Sequence, residues 1–258
     1  MVLSYSFCNV SVLPLRKEPS HRSEQVSQLL FGERAEILEV NEAGWARIHT
    51  EWDQYCGWCR ASQLEQVSKK DYAKERKFLS ADNQGKLRFE DSELWLPAGA
   101  EFGKGKQTIG TLSGKFKGSK QEIAALQVSG DALRAAVLLY LHAPYQWGGR
   151  SLAGIDCSGL VQMAYKLCNR KLPRDASMQA LEGTAVDFLQ HARAGDLAFF
   201  DNEEGRINHV GMLLDHQTII HATETSGRVV IDSIDGGGII SKSLRKRTHN
   251  LRMVKRYF

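Results

Sequence analysis

The stretch YQWGGRSLAGIDCSGLVQMAYKLC, residues 145 to 168, decides how the chain is read. It runs as an irregular glycine-bearing loop into a helical pattern, with Leu160, Val161, Ala164, Leu167 and Cys168 on one stripe. Asp156 stands where an N-cap belongs, which places Cys157 in the first helical turn. Unpaired amides and the positive end of the helix dipole favour a thiolate there, so the thiol is expected to titrate below its ordinary value. Cys157 is therefore a candidate nucleophile. A cysteine on a helix is otherwise a small buried hydrophobe, and position alone does not decide between the two.

Downstream, Gly195-Asp196 turns into the apolar run Leu197 to Phe200, and two further strands follow, Val210 to Leu214 and Thr218 to Ala222. Asp215-His216-Gln217 between them reads as a hairpin turn. A fold about Asp215 sets His209 opposite His221. A fold about His216 sets His209 opposite Thr223 and leaves His221 one diagonal away on the same face. Either register keeps the two rings neighbours. The chain has eight histidines, and one on a strand is usually a satisfied half-buried residue. A helix-start cysteine followed by two paired histidines is a different matter, because a thiol needs a base and the base needs a third group to orient it. More short strands, Arg228 to Ile231 and Leu251 to Tyr257, carry the chain to its end.

Upstream of the quoted stretch, Leu133, Val137, Leu138 and Leu141 form a helical stripe that stops before Pro144. Helices followed by a run of antiparallel strands describe an α+β domain over 128–258. Residues 1–67 have another character, with short apolar runs between turn residues: Val26 to Phe31, Ala35 to Val40, Gly44 to Ile48 and Tyr55 to Trp58. That spacing predicts a small β-barrel with Trp45 and Trp58 in its core. Residues 68–127 begin with a charged bridge, Lys69 to Lys77, and continue as short strands separated by glycines. A second, diverged barrel is the expectation there.

Composition excludes little but bounds the partners. The chain has 258 residues, 42% hydrophobic and 25% charged, with a formal charge of +4. Basic residues are scattered; the run Lys242 to Arg247 is too short for a nucleic-acid surface and reads as a solvated face. Five cysteines do not make a disulfide framework. Cys56 and Cys59 lack the second pair of ligands a zinc site needs, and on a strand they point to opposite faces. No run approaches the ~20 apolar residues of a membrane span. The N-terminus lacks the marks of a secretory signal, so a cytoplasmic protein is expected.

The residues carry a resemblance. Tyr145-x-Trp147-Gly148-Gly149, Asp156-Cys157-Ser158-Gly159-Leu160-Val161, Gly195-Asp196-Leu197-x-Phe199-Phe200, Asn208-His209-Val210-Gly211 and Ile220-His221-Ala222, in that order, are similar to the NlpC/P60 family of papain-like cysteine peptidases. The first segment, with Leu15-Arg16-x-x-Pro19, a Gly32-Glu33 turn and Tyr55-x-Gly57-Trp58, resembles a bacterial SH3-like (SH3b) domain. The whole chain resembles the γ-D-glutamyl-L-diamino acid endopeptidases of this family. That resemblance implies a papain-like catalytic domain preceded by one or two SH3-like β-barrels. It implies Cys157 as nucleophile, His209 as base, His221 as the residue orienting it, and Tyr145 beside the oxyanion. It implies that Tyr55 and Glu33, with Asp156 and Ser158, capture the free N-terminal amine of a murein peptide, L-Ala-γ-D-Glu-diamino acid. Trp147, Arg174 and Asp175 are expected to border the cleft. The expected enzyme is a monomer, without metal or other cofactor and without nucleic-acid or membrane partners. A wall-bound endopeptidase acting on intact stem peptides, or a binding module that has kept the fold without the activity, are the alternatives.

Overall fold

The computed structural model describes all residues, Met1 to Phe258, in two compact units. The first comprises Met1–Leu126 with Gly148–Leu152; the second comprises Gln127–Trp147 with Ala153–Phe258.

In the first unit, seven strands form one sheet in the order Gln25–Leu30, Val12–Arg16, Cys56–Arg60, Trp45–Thr50, Arg34–Val40, Ser4–Cys8, Leu64–Val67. Period-two alternation drives it inward: Leu13 and Leu15 of one strand, Ala35 and Ile37 of another and Ala46 and Ile48 of a third share one buried cluster with Cys8 and Cys59. The predicted strands are all present, and the CxxC splits as the pleat requires, Cys59 in the core and Cys56 exposed. Trp45 is buried, while Trp58 lies half-buried on its strand. The Gly32-Glu33 turn admits no larger residue, because Gly32 has φ +79° and a Cβ there would lie 1.8 Å from the Glu101 carbonyl oxygen.

Residues 68–127 open with a short helix, Lys69–Tyr72, capped by Ser68, whose hydroxyl accepts from the Asp71 amide. Two small sheets follow. One is ordered Glu93–Leu96, Gly85–Arg88, Leu112–Lys117, Lys106–Ile109, and the other Glu101–Phe102, Phe78–Ser80, Lys120–Glu122. Phe102 stacks on Phe116 at 4.2 Å between ring centroids.

The second unit is helices on a sheet. Ser129 caps the helix Gly130–Leu138 and Asp156 caps Cys157–Lys166, whose residues are all buried. The sheet runs Thr184–Ala185, Lys246–Arg256, Leu197–Asp201, Ile207–Leu213, Thr218–Thr223, Arg228–Asp235, Gly238–Ser241. Its last strand in sequence also pairs with Gly238–Ser241. Ala198, Phe200, Leu213, Ile219, Ile234, Ile239 and Val254 fill one face. No helix is long and apolar enough to cross a membrane.

Candidate active site

The helix Cys157–Lys166 packs on the strands Ile207–Leu213 and Thr218–Thr223, so cysteine and histidines come from elements in direct contact. Met212 faces Ile220 and Leu213 faces Ile219, the register of a fold about His216, the second of the two that the turn allowed. His221 is thus diagonal to His209, and the rings still meet: His209 Nε2 lies 2.9 Å from His221 Nδ1. Beyond it, His221 Nε2 lies 3.3 Å from Asp232 Oδ2. Both rings and the carboxylate are buried.

The Cys157 sulfur is met by the backbone amide of Val210, the residue after His209, and by the amide of Ser158. These donors and the charge of Arg174 favour the thiolate, as the helix-start position led us to expect, but they do not prevail. Burial and the neighbouring Asp156 carboxylate push the Cys157 thiol up to about 12. The expectation of a lowered value is therefore corrected: Cys157 is only 6% exposed, and desolvation of a charge outweighs a few partial charges. His209 moves the complementary way, held well below the usual histidine range by burial and by the charges of His221 and His249. Both shifts favour the uncharged forms, a neutral thiol and a neutral imidazole.

Tyr145 stands in the same surroundings. Burial, then the proximity of Cys157 and Asp156, raises its phenol, and its backbone is tied to Gly227 and to a parallel bridge with Ile155. Asp156 does two jobs: Oδ1 accepts from the Gly159 amide at 2.7 Å, and Oδ2 accepts from Arg174 Nη2 at 2.6 Å. Arg174 also donates to Ser158 Oγ at 2.8 Å, and the ion pair is buried, with side chains 2% and 6% exposed. Arg174 thus supports the helix start itself. Asp175, next to it, is exposed at the start of the short helix Ala176–Gln179, and Trp147 is 58% exposed.

In the first unit, Glu33 is bound on both oxygens by Arg150, at 2.9 and 3.0 Å, and accepts the Leu30 amide at 2.8 Å. Arg150 also donates to the Gln28 carbonyl. Tyr55 is half-buried in the turn before Cys56–Arg60, its amide donating to Thr50 Oγ1 at 2.8 Å.

Three residues escaped sequence reasoning. Arg150 follows the Trp147-Gly148-Gly149 motif directly, but nothing in its spacing announces Glu33. Asp232 lies one residue past the point where the apolar run Arg228 to Ile231 stops; the strand in fact continues to Asp235. His249 precedes the predicted last strand, which begins earlier, at Lys246. Its ring stacks on His209 with centroids 4.1 Å apart. Burial and the charge of His221 lower its pKa to about 4, against a smaller opposing effect of Asp232. Nitrogens of His209, His221 and His249 lie within 4.8 Å of one another.

Comparison with known proteins agrees with this geometry. Residues 142–248 match the NlpC/P60 family and residues 15–64 match the bacterial dipeptidyl-peptidase Sh3 domain. The γ-D-glutamyl-L-lysine dipeptidyl-peptidase of Bacillus subtilis is 30% identical over 223 residues, covering 80% of this chain and 74% of that protein. Dipeptidyl-peptidase 6 of Lysinibacillus sphaericus is 27% identical over 254 residues, covering 86% of this chain and 88% of that protein. The crystal structure of an NlpC/P60 family protein from Bacillus cereus shares the fold with a TM-score of 0.82, over 98% of this chain and 99% of that one, at 19% identity. With a helix-start cysteine, two joined imidazoles and an SH3-like barrel in front, the chain belongs to the NlpC/P60 family and is a cysteine peptidase.

Proposed function

We propose that the enzyme hydrolyses the γ-D-glutamyl-L-diamino acid bond of cell-wall peptides that have a free N-terminal L-Ala, releasing L-Ala-γ-D-Glu. The observation that carries the reading is the 2.9 Å contact of His209 with His221 on the strand whose Val210 amide meets the Cys157 sulfur. His209 spends Nε2 on His221, which leaves Nδ1 as the nitrogen for the thiol proton. Because thiol and imidazole are both neutral at rest, proton transfer accompanies attack: sulfur bonds to the γ-carbonyl carbon as His209 takes its proton. The Cys157 amide and the Tyr145 hydroxyl are the donors for the oxyanion. His209 then gives the proton to the leaving amine of the diamino acid, and water, deprotonated by the same ring, releases the dipeptide from the thioester. His221 orients His209 throughout.

A free L-Ala amine is the specificity element of this reading. Asp156, held by Arg174 and Ser158 beside the nucleophile, is a fixed carboxylate that an ammonium can share and an acylated nitrogen cannot. For Tyr55 and Glu33 the support is the sequence resemblance; Trp147 and Asp175 are assigned to the cleft border on the same ground. Residues 68–127 are read as a second, diverged SH3-like barrel. Such a preference suits recycling of released wall fragments in the cytoplasm better than cutting intact wall.

Four substrates test it: L-Ala-γ-D-Glu-L-Lys, the meso-diaminopimelate counterpart and the N-acetylated form of each. Release of L-Ala-γ-D-Glu from the free-amine peptides alone is expected. Equal cleavage of the acetylated forms would overturn the amine requirement and favour action on intact stem peptides.

A further inference from the structure

We propose that Asp232 is a positioning residue that sets the tautomer of both active-site histidines, so that His209 meets the thiol through an unprotonated Nδ1. The proposal deepens the cysteine-peptidase reading and rests on it for the roles of Cys157 and His209.

The proposed relay starts at a carboxylate that can only accept. Asp232 lies on Arg228–Asp235, 3% exposed, with Oδ2 at 3.3 Å from His221 Nε2 and Oδ1 accepting the Lys242 amide at 2.9 Å. Burial works against its charge, but the hydrogen bonds from His221 and the Lys242 amide hold its pKa below the ordinary carboxylate value. An ionised carboxylate has no proton to give, so His221 must carry its hydrogen on Nε2. In the proposed relay His221 carries this one hydrogen, so its Nδ1 is a bare acceptor. The 2.9 Å contact at that nitrogen needs a donor, and the donor is His209 Nε2–H. His209 is itself neutral, which leaves its Nδ1 bare. One carboxylate, two rings away from the sulfur, thereby determines which nitrogen can act as base.

The same contacts say what an amide would do. In Asp232→Asn the Lys242 N–H still needs an acceptor, which keeps the amide oxygen on the Oδ1 side and turns the NH2 toward His221. A donor facing Nε2 makes Nε2 the bare nitrogen and moves the His221 hydrogen to Nδ1. The contact with His209 then reverses, His209 accepts at Nε2, and its hydrogen sits on Nδ1, where the thiol proton has to go. Size and fold are conserved while the base is blocked.

The experiment is 15N NMR of histidine-labelled enzyme together with steady-state kinetics on L-Ala-γ-D-Glu-L-Lys. Wild-type enzyme is expected to show His209 and His221 both protonated at Nε2. Asp232→Asn is expected to show both protonated at Nδ1, with kcat reduced on the order of 10²-fold or more and KM little changed. Wild-type enzyme with His209 protonated at Nδ1 would overturn the proposal, whether or not any variant folds. So would Asp232→Asn with unchanged tautomers and kcat within about twofold of wild type. Cys157→Ser separates the two levels: if it retains turnover, the peptidase reading falls; if it is inactive while Asp232→Asn is unaffected, only the relay falls.

Discussion

Cys59 in the barrel and Cys157 in the peptidase domain are both buried, and both thiols are pushed up to about 12 with burial as the largest cause. By titration alone they are the same residue. What separates them is the company. Cys59 lies in an apolar cluster with Leu13, Ile37, Ala46 and Ile48. Cys157 has two backbone amides directed at its sulfur, an arginine within electrostatic reach and a strand bearing His209 packed on its helix. Burial makes both sulfurs inert as acids. In the proposed mechanism Cys157 alone of the two has groups placed to take its proton and hold the charge formed on attack.

The comparison breaks most visibly at the two sulfurs. Cys157→Ala is expected to lower hydrolysis of L-Ala-γ-D-Glu-L-Lys by about 10⁴-fold or more while leaving the unfolding midpoint close to wild type. Cys59→Ala is expected to do the opposite, costing about 1 kcal/mol or more in urea unfolding through the cavity it leaves, with kcat unchanged. Next comes the ring behind the base. His221→Ala should reduce kcat by roughly 10²- to 10³-fold with little effect on KM, since it removes orientation rather than substrate contact.

Arg174→Met sharpens the contrast between a sulfur in an apolar core and one beside paired charges. It strands the buried Asp156 carboxylate, and folding stability should fall by about 3–5 kcal/mol in urea titrations. A stable Arg174→Met enzyme would show that Asp156 finds another counter-charge.

Acid should weaken the peptidase domain through its histidines. His209 and His249 have folded pKa values below that of an unfolded histidine, about 6.5. Below about 6.5 the unfolded chain binds more protons than the native one, so stability is fully present above that pH and declines as pH falls toward about 4, where His249 titrates. A lower urea midpoint at pH 5 than at pH 7.5 is the expected outcome, and His249→Phe should flatten that slope. The smallest effect belongs to Cys56, the exposed member of the CxxC: Cys56→Ser should change neither stability nor rate, and should remove the site most rapidly labelled by iodoacetamide.

Much of this contrast was legible in the sequence, and what was not has identifiable causes. Short apolar runs between closely spaced turn residues, such as Val26 to Phe31 and Ala35 to Val40, announced the barrel because its strands are short and must turn back at once. Asp156 before an apolar stripe announced the helix and its cap. The two histidines were found because a short turn constrains register to within one residue, and both possible registers bring the rings together. Asp232 and His249 were missed for one reason: each strand extends past the apolar run that marks it, Arg228–Asp235 beyond Ile231 and Lys246–Arg256 ahead of Leu251. The ion pairs Asp156–Arg174 and Glu33–Arg150 join residues far apart in the chain, and no local pattern encodes such partners. The thiol's ionisation was misjudged because the helix start is visible in sequence, whereas the depth at which it is buried is not.

The most direct test is acid-quenched mass spectrometry of the enzyme during turnover of L-Ala-γ-D-Glu-L-Lys, followed by peptide mapping. An L-Ala-γ-D-Glu acyl group on Cys157, absent from Cys59 and absent in Cys157→Ala, is the predicted result. Continued cleavage by Cys157→Ala, with no acyl group on any cysteine of the wild-type enzyme, would contradict it.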